Sequence, residues 1–595
     1  MFREKGRNML VEKITTWSSQ ILGRLKTREY IFLSVVAVLI GVLGGYGAVL
    51  FRYSIIFVQT VFYGSGQEFI HIADHLPWYR KLLIPAVGGA IVGPLIYFWA
   101  REAKGHGVPE VMEAIAIRDG LIRARVTIIK ILASALSIGC GGSVGREGPI
   151  VQIGSALGSV VGQMLKVSRN RLRILVGCGA AAGISATFNA PIAGVIFSLE
   201  IVLGEFGVTT FSPLVLSSVV ATAISRHHFG DAAAFSTLPV YEMVSPIELL
   251  FYALLGVYVG LIALAFVITL YKTEDLFNAT PIPEYLKPIL GGLVMGSLII
   301  CTPQIFGVGY GTIELALSGM LPAWMMLSLV LVKIFATSVT IGGGMSGGIF
   351  APSLFIGAMA GGFFGILMHW FFPAITAPFG AYALVGMGGL VAAATHAPIT
   401  AILIIFELTS QYTIILPLMI TCIISTLLAT YLRKGNIYTI KLMRRGIVLS
   451  KGLEQSIMQN ILVRTVMRNE LRTVKENTPL AEIIRDFQNH DVSYLVVMDD
   501  NDELAGIICF RDIRQALQEP QLGYLLIARE VATNPVETVT PAETIETALK
   551  KMGATGVSQL PVVERQNPRK VIGMIHDKDI HTAYNRALAM KAETQ

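Results

Sequence analysis

The stretch GGSVGREGPIVQIGSALG (141–158) decides the reading, because it recurs as GMSGGIFAPSLFIGAMAG (344–361). Gly141/Gly344, Gly145/Gly348, Pro149/Pro352, Gly154/Gly357 and Gly158/Gly361 match, every pair 203 positions apart. A second block, GAAAGISATFNAPIAGVIFSLE (179–200), returns as GMGGLVAAATHAPITAILIIFE (386–407). It shares Gly179/Gly386, Ala190/Ala397, Pro191/Pro398 and Glu200/Glu407 at an offset of 207. A third, KGHGVPEVMEA (104–114), answers FGVGYGTIELA (306–316) at an offset of 202. Chance small-residue packing patterns explain one such block, but not three in the same order. The chain therefore carries two tandem halves, about 31–230 and 248–433. Apolar runs broken by Gly and Pro at corresponding places in two halves are the mark of a solute site near the membrane midplane.

Composition agrees. Of 595 residues, 53% are hydrophobic and 15% charged, and the mean hydropathy is +0.63, whereas soluble domains run near 25% charged. Residues 451–595 hold 17 Lys+Arg and 20 Asp+Glu, while the first 450 are only about 11% charged. This predicts a membrane domain over 31–445 followed by a soluble domain. Seven Lys/Arg lie in 3–28 and five in 433–445, so the positive-inside rule places both ends in the cytoplasm, with 1–30 as a retained basic segment. The net charge of +7 points to lipid headgroups or a transported anion and not to nucleic acid. Five cysteines without a CxxC pair indicate neither a disulfide framework nor a zinc site.

The tail also repeats itself. Val474/Val539, Leu480/Ile545, Val492/Val557 and Ser493/Ser558 are 65 apart, then Gly506/Gly573 and Asp512/Asp579 are 67 apart. Each copy reads as a helix (PLAEIIRDFQNH; AETIETALKKMG), two short strands (SYLVVM, LAGIICF; QLPVV, KVIGMI) and a further helix. The pair, at 459–518 and 525–588, resembles tandem CBS domains.

The strings that carry chemistry are GHGVP (105–109), GREGP (145–149), GGIFAP (347–352) and Tyr438 in NIYTIKLMRRG. A Gly/Pro break at the start of an apolar helix exposes free backbone N–H groups and the positive end of the helix dipole. Several such starts aimed at one point bind a dehydrated anion without a fixed full charge that would trap it.

These strings, their order and the CBS pair resemble the CLC family of chloride channels and transporters over nearly the whole chain. The resemblance implies a polytopic α-helical membrane protein of two inverted repeats with a cytoplasmic α/β CBS pair. It is expected in the inner (plasma) membrane as a homodimer with one anion pathway per subunit, embedded in the bilayer and needing no metal. It further implies that chloride or a related anion is held by Gly105, His106, Gly107, Val108 and Pro109, by Gly145, Arg146 and Gly148, by the amides of Ile349 and Phe350, and by the Tyr438 hydroxyl. Glu147 is implied as the gating carboxylate, released by protonation.

Two positions depart from the family pattern. His106 stands where Ser is usual, and an imidazole can donate one N–H or, protonated, add a charge. Ile201 follows Glu200 where exchangers commonly have a proton-relay Glu, and it cannot titrate. Glu205 lies about 140° around a helix from Glu200, while Glu200 and Glu407 read as carboxylates satisfying nearby backbone N–H groups. In the tail, GIICFRD and GMIHDKD keep Asp512 and Asp579, the ribose-binding position of an adenine nucleotide in CBS pairs. Cys509 and His576 replace the hydroxyl residue there.

The leading expectation is passive chloride conduction gated by Glu147, with chloride/proton antiport as the alternative within the family. A CBS-bearing magnesium transporter would need acidic residues inside its spans. A membrane enzyme would need a motif such as HExxH, which the chain lacks.

Overall fold

The computed structural model describes residues 29–66, 69–231, 241–447, 461–489, 494–510, 512–514 and 525–593, together with 235, 239 and 458. The expected basic segment before residue 29 lies outside them. The chain divides into two compact units, Met1–Leu449 and Ser450–Gln595.

The first unit is all helix. Its first half runs α1 (Glu29–Tyr63), α2 (Trp78–Trp99), α3 (Val108–Ile117), α4 (Ala124–Gly139), α5 (Glu147–Met164), α6 (Arg169–Phe188), α7 (Pro191–Phe197) and α8 (Val208–Phe229). The second half runs α9 (Glu248–Ala279), α10 (Lys287–Cys301), α11 (Tyr310–Leu317), α12 (Ala323–Gly342), α13 (Phe350–Phe371), α14 (Phe379–Thr395), α15 (Pro398–Thr409) and α16 (Ile415–Leu432), and is followed by α17 (Thr439–Arg444). The two sets correspond one to one. Eight of these helices are long and apolar enough to cross a membrane. Most of the others are shorter, and α3, α7, α10 and α15 carry Pro in the first turn, where its missing N–H costs nothing.

Glycines common to both halves let helix backbones touch. A Cβ on Gly154 of α5 would lie 2.1 Å from the Gly179 carbonyl of α6, and its counterpart Gly357 of α13 would meet the Gly386 carbonyl of α14 at 2.5 Å. Such approaches let small residues replace the hydrophobic effect as the source of helix affinity in lipid.

Contacts between the halves are reciprocal. Gly145 N–H donates to Gly348 O at 2.7 Å and Gly348 N–H to Gly145 O at 2.6 Å. A Cβ on Gly89 would meet Pro288 O, and one on Gly292 would meet Pro85 O. Glu200 accepts from the amides of Ile399 and Thr400, and Glu407 from those of Ile192 and Ala193. Reciprocity of this kind is the signature of a two-fold relation and not of a translation.

The second unit is mixed α/β. Strand β1 (Thr473–Lys475) pairs in parallel with β2 (Tyr494–Met498) across the intervening helix α18 (Leu480–Asn489), and β2 pairs antiparallel with β3 (Leu504–Cys509). The second copy has α19 (Ile545–Thr555), the antiparallel pair β4 (Gln559–Val563) and β5 (Val571–His576), and α20 (Asp577–Glu593). Val496 and Ile507 of the first copy share a core with Val563, Val571 and Met574 of the second. The helix expected after Asp512 falls largely outside the described residues.

Candidate anion pathway

The three Gly-rich strings meet at one place. Gly105 pairs with the strand-like segment at Ser346, donating to Met345 O and accepting from Gly347 N–H, both at 3.3 Å. Gly145 pairs with Gly348, and a Cβ on Gly148 would lie 2.1 Å from His106 O. The starts of α3, α5 and α13 are thus stitched together, and the first N–H groups of each, including Phe350 at the start of α13, have no intrahelical acceptor. Gly105 and Gly107 hold φ of +77° and +85°, the region glycine occupies without strain.

Glu147, the first residue of α5, is 1% exposed. Its Oε1 accepts from the Tyr310 hydroxyl at 3.0 Å, and its Oε2 has no hydrogen-bond partner among the described residues. A Cβ on Gly145 would fall 2.0 Å from that Oε2 and 3.2 Å from the Ala351 amide, so the carboxylate fills the space in front of the α13 start. Arg146 lies over the Tyr310 ring, 5.2 Å from its centroid.

Tyr438, 1% exposed, comes just before α17. It is positioned by Asn436, whose Oδ1 accepts the amides of Tyr438 and Thr439 at 2.9 and 2.8 Å. His106 packs beside Tyr438. It is 2% exposed, its ring centroid is 5.8 Å from that of Tyr438, and its Nδ1 lacks a protein partner among the described residues.

Two cavities approach this cluster. One, of about 220 Å³, is lined by Arg52, Arg146, Gly307, Gly309 and Tyr310. The other, of about 120 Å³, is lined by Lys104, Gly105, His106, Lys441 and Arg445. Helix α10 starts beside Lys104 and Gly344 and ends just before Pro303 and Gln304 in the first cavity wall. Its 15 residues therefore separate the mouths by roughly 22 Å at 1.5 Å per residue. The equivalent loops 105–107 and 307–309 open at opposite mouths, so the two-fold exchanges them. That is an inverted repeat.

Ile201 is 5% exposed on a single turn of π-helix, Ser198–Leu203, which packs against α3. Glu205, which helical spacing would put on another face from Glu200, is not on this turn at all. The turn ends at Gly204 in the left-handed conformation, and Glu205 is exposed beyond it. Glu200 and Glu407 do accept backbone amides, each at the start of the opposite half's helix.

In the tail, the Asp512 carboxylate accepts the Cys509 amide at 2.7 Å, and the Asp579 carboxylate accepts from Arg468 Nε and Nη2 at 2.8 and 2.6 Å.

Sequence reading missed two buried lysines. Lys130 donates to the carbonyls of Ala103 and Gly105, and Lys333 to those of Ile305 and Gly307. Each ammonium holds the loop before a short helix, and both are 0% exposed. Their spacing of 203 within charge-poor runs was the signal that could have found them. Lys441 was also missed. It pairs with Glu110 at 2.7 Å, and Arg445 pairs with Glu113 at 2.7 Å, tying α17 and the residue after it to α3.

Fold and site together define a membrane transporter with inverted repeats around helix starts suited to an anion. The family model described as voltage gated chloride channel matches residues 88–430, and the CBS domain model matches 463–519 and 528–586. The chain belongs to the voltage-gated chloride channel (CLC) family. It is an integral membrane protein of a chloride-transporting family. It is 39% identical over 396 residues to a ClcB-like chloride channel protein of Ralstonia nicotianae, covering 65% of this chain and 91% of that one. It is 30% identical over 586 residues to chloride channel protein CLC-f of Arabidopsis thaliana, covering 85% and 74%. A solved slow cyanobacterial Cl⁻/H⁺ antiporter superposes with a TM-score of 0.64 at 28% identity, covering 69% of this chain and 97% of that one.

Proposed function

We propose that the protein conducts chloride passively through one pathway per subunit, gated by Glu147. The observation that carries this reading is the position of the Glu147 carboxylate, buried in front of the α13 start and between two cavities that carry Arg146 and Lys441. A carboxylate there competes with an anion for the same amides, and protonation removes its charge and its claim. Around it, Gly105–Pro109, Gly145, Arg146, Gly148, Ile349, Phe350 and Tyr438 form the anion path, with His106 facing Tyr438. The absence of a titratable group at Ile201 supports conduction over antiport.

By the basic residues at both ends, the Lys441 mouth faces the cytoplasm of the plasma membrane. A homodimer is part of the same proposal, the exposed apolar side chains of the membrane helices being open to lipid or to a second copy. An adenine nucleotide at the CBS pair would use Asp512 and Asp579.

The test is chloride efflux from liposomes with Glu147→Gln. Efflux that becomes independent of pH, at or above the wild-type maximum, is expected. Efflux that keeps the wild-type pH profile contradicts the gate.

A further inference from the structure

Within that reading of Glu147, the structure assigns a further part to Tyr310. We infer that it is a positioning residue of the gate, its hydroxyl holding the Glu147 carboxylate in the blocking position.

The hydroxyl donates to Oε1 at 3.0 Å. It is the only side-chain donor to Glu147 among the described residues, since Oε2 has no partner. The ring is fixed before the hydroxyl acts. Phe235, 2% exposed, packs edge-on at 5.7 Å, and the Arg146 guanidinium lies over the ring. The preceding Gly309 holds φ of +84°, and a Cβ there would meet Phe355 at 2.8 Å, so the loop that delivers Tyr310 has little room to shift.

The clamp is one-sided. Tyr310 opens α11 as Val108 opens α3, so the two-fold counterpart of the hydroxyl is an isopropyl group at the other mouth. Other charged or titratable groups face Glu147 from each neighbouring element: Arg146 on its own loop, Lys333 on α12 and Tyr438 before α17. The Lys333 ammonium is already committed to two carbonyls.

A hydroxyl donor favours the ionised carboxylate over the neutral acid. Removing it lets the gate protonate at higher pH, so flux that rises on acidification should rise earlier.

The experiment is chloride efflux against pH for the full-length protein in liposomes, comparing wild type, Tyr310→Phe, Glu147→Gln and the double variant. The expected result is a shift of the half-maximal pH upward by about one unit in Y310F, equivalent to roughly tenfold easier protonation. The double variant is expected to match E147Q. Phe235→Leu, which loosens the ring and keeps the hydroxyl, should shift the midpoint the same way by less, and it stands in if Y310F does not fold. If E147Q keeps the wild-type profile, the gate reading itself falls. If E147Q loses its pH dependence but Y310F and F235L overlay wild type, the clamp is overturned. An equal change in flux from Y310F in both backgrounds overturns it too, because the hydroxyl would then act on the anion and not on the carboxylate.

Discussion

At the scale of single residues, the pathway is built from groups that lack ordinary partners. Lys130 and Lys333 sit fully buried without a carboxylate, each satisfied by two loop carbonyls. Lys333→Met leaves the Ile305 and Gly307 carbonyls without a donor among the described residues, and a loss of about 2 kcal/mol is expected from such a buried vacancy. In Lys130→Met the Ala103 and Gly105 carbonyls keep the Ser346 hydroxyl and the Gly347 amide, so a smaller loss is expected. A fall in the thermal midpoint in detergent, together with lower efflux, checks this; unchanged midpoints would mean the loops find other donors. His106 makes a different prediction. Its Nδ1 has no hydrogen-bond partner among the described residues and its ring packs beside Tyr438, so His106→Ala should change the chloride-to-nitrate permeability ratio while flux persists. An unchanged ratio would assign selectivity to the backbone amides alone.

At the scale of elements, the short helices α7 and α15 carry the two-fold, while the π-turn after α7 replaces what is continuous α-helix in α15. Glu200 serves the first amides of α15 and Glu407 those of α7, each a charge at a helix start worth up to about 1 kcal/mol. Glu200 also accepts the Thr400 hydroxyl at 2.6 Å, which Ala193 cannot offer Glu407, so both Glu200→Gln and Glu407→Gln should lower the melting midpoint, Glu200→Gln by more. An unchanged midpoint in either would show that its carboxylate does not hold the facing helix start. These carboxylates were legible in sequence, since they recur at one offset beside the same Ala-Pro step. So were the helix starts, because Gly and Pro mark them directly. Tyr310 was not legible as a gate partner. Its string FGVGYG aligns with KGHGVP, but a hydroxyl at a position that is Val in the other half has no repeat to announce it. The end of the π-turn at Gly204 was hidden as well, since a single left-handed glycine looks from sequence like any packing glycine.

At the scale of the whole molecule, inversion of the halves gives one membrane protein two unlike mouths from one ancestral plan, Arg146 and Tyr310 at one and His106 and Lys441 at the other. In the tail, Arg468 makes two hydrogen bonds to Asp579, one of the two carboxylates proposed for an adenine nucleotide. ATP is therefore expected to raise the melting midpoint of the Arg468→Ala protein more than that of wild type; equal shifts would show that Asp579 is not the contact. The central claim is passive conduction. Its most direct test is chloride efflux from liposomes holding the wild-type protein, with external pH followed in the same trace under a potassium shunt. Chloride leaving without proton uptake is the predicted result, and proton uptake in fixed proportion to chloride released would contradict it.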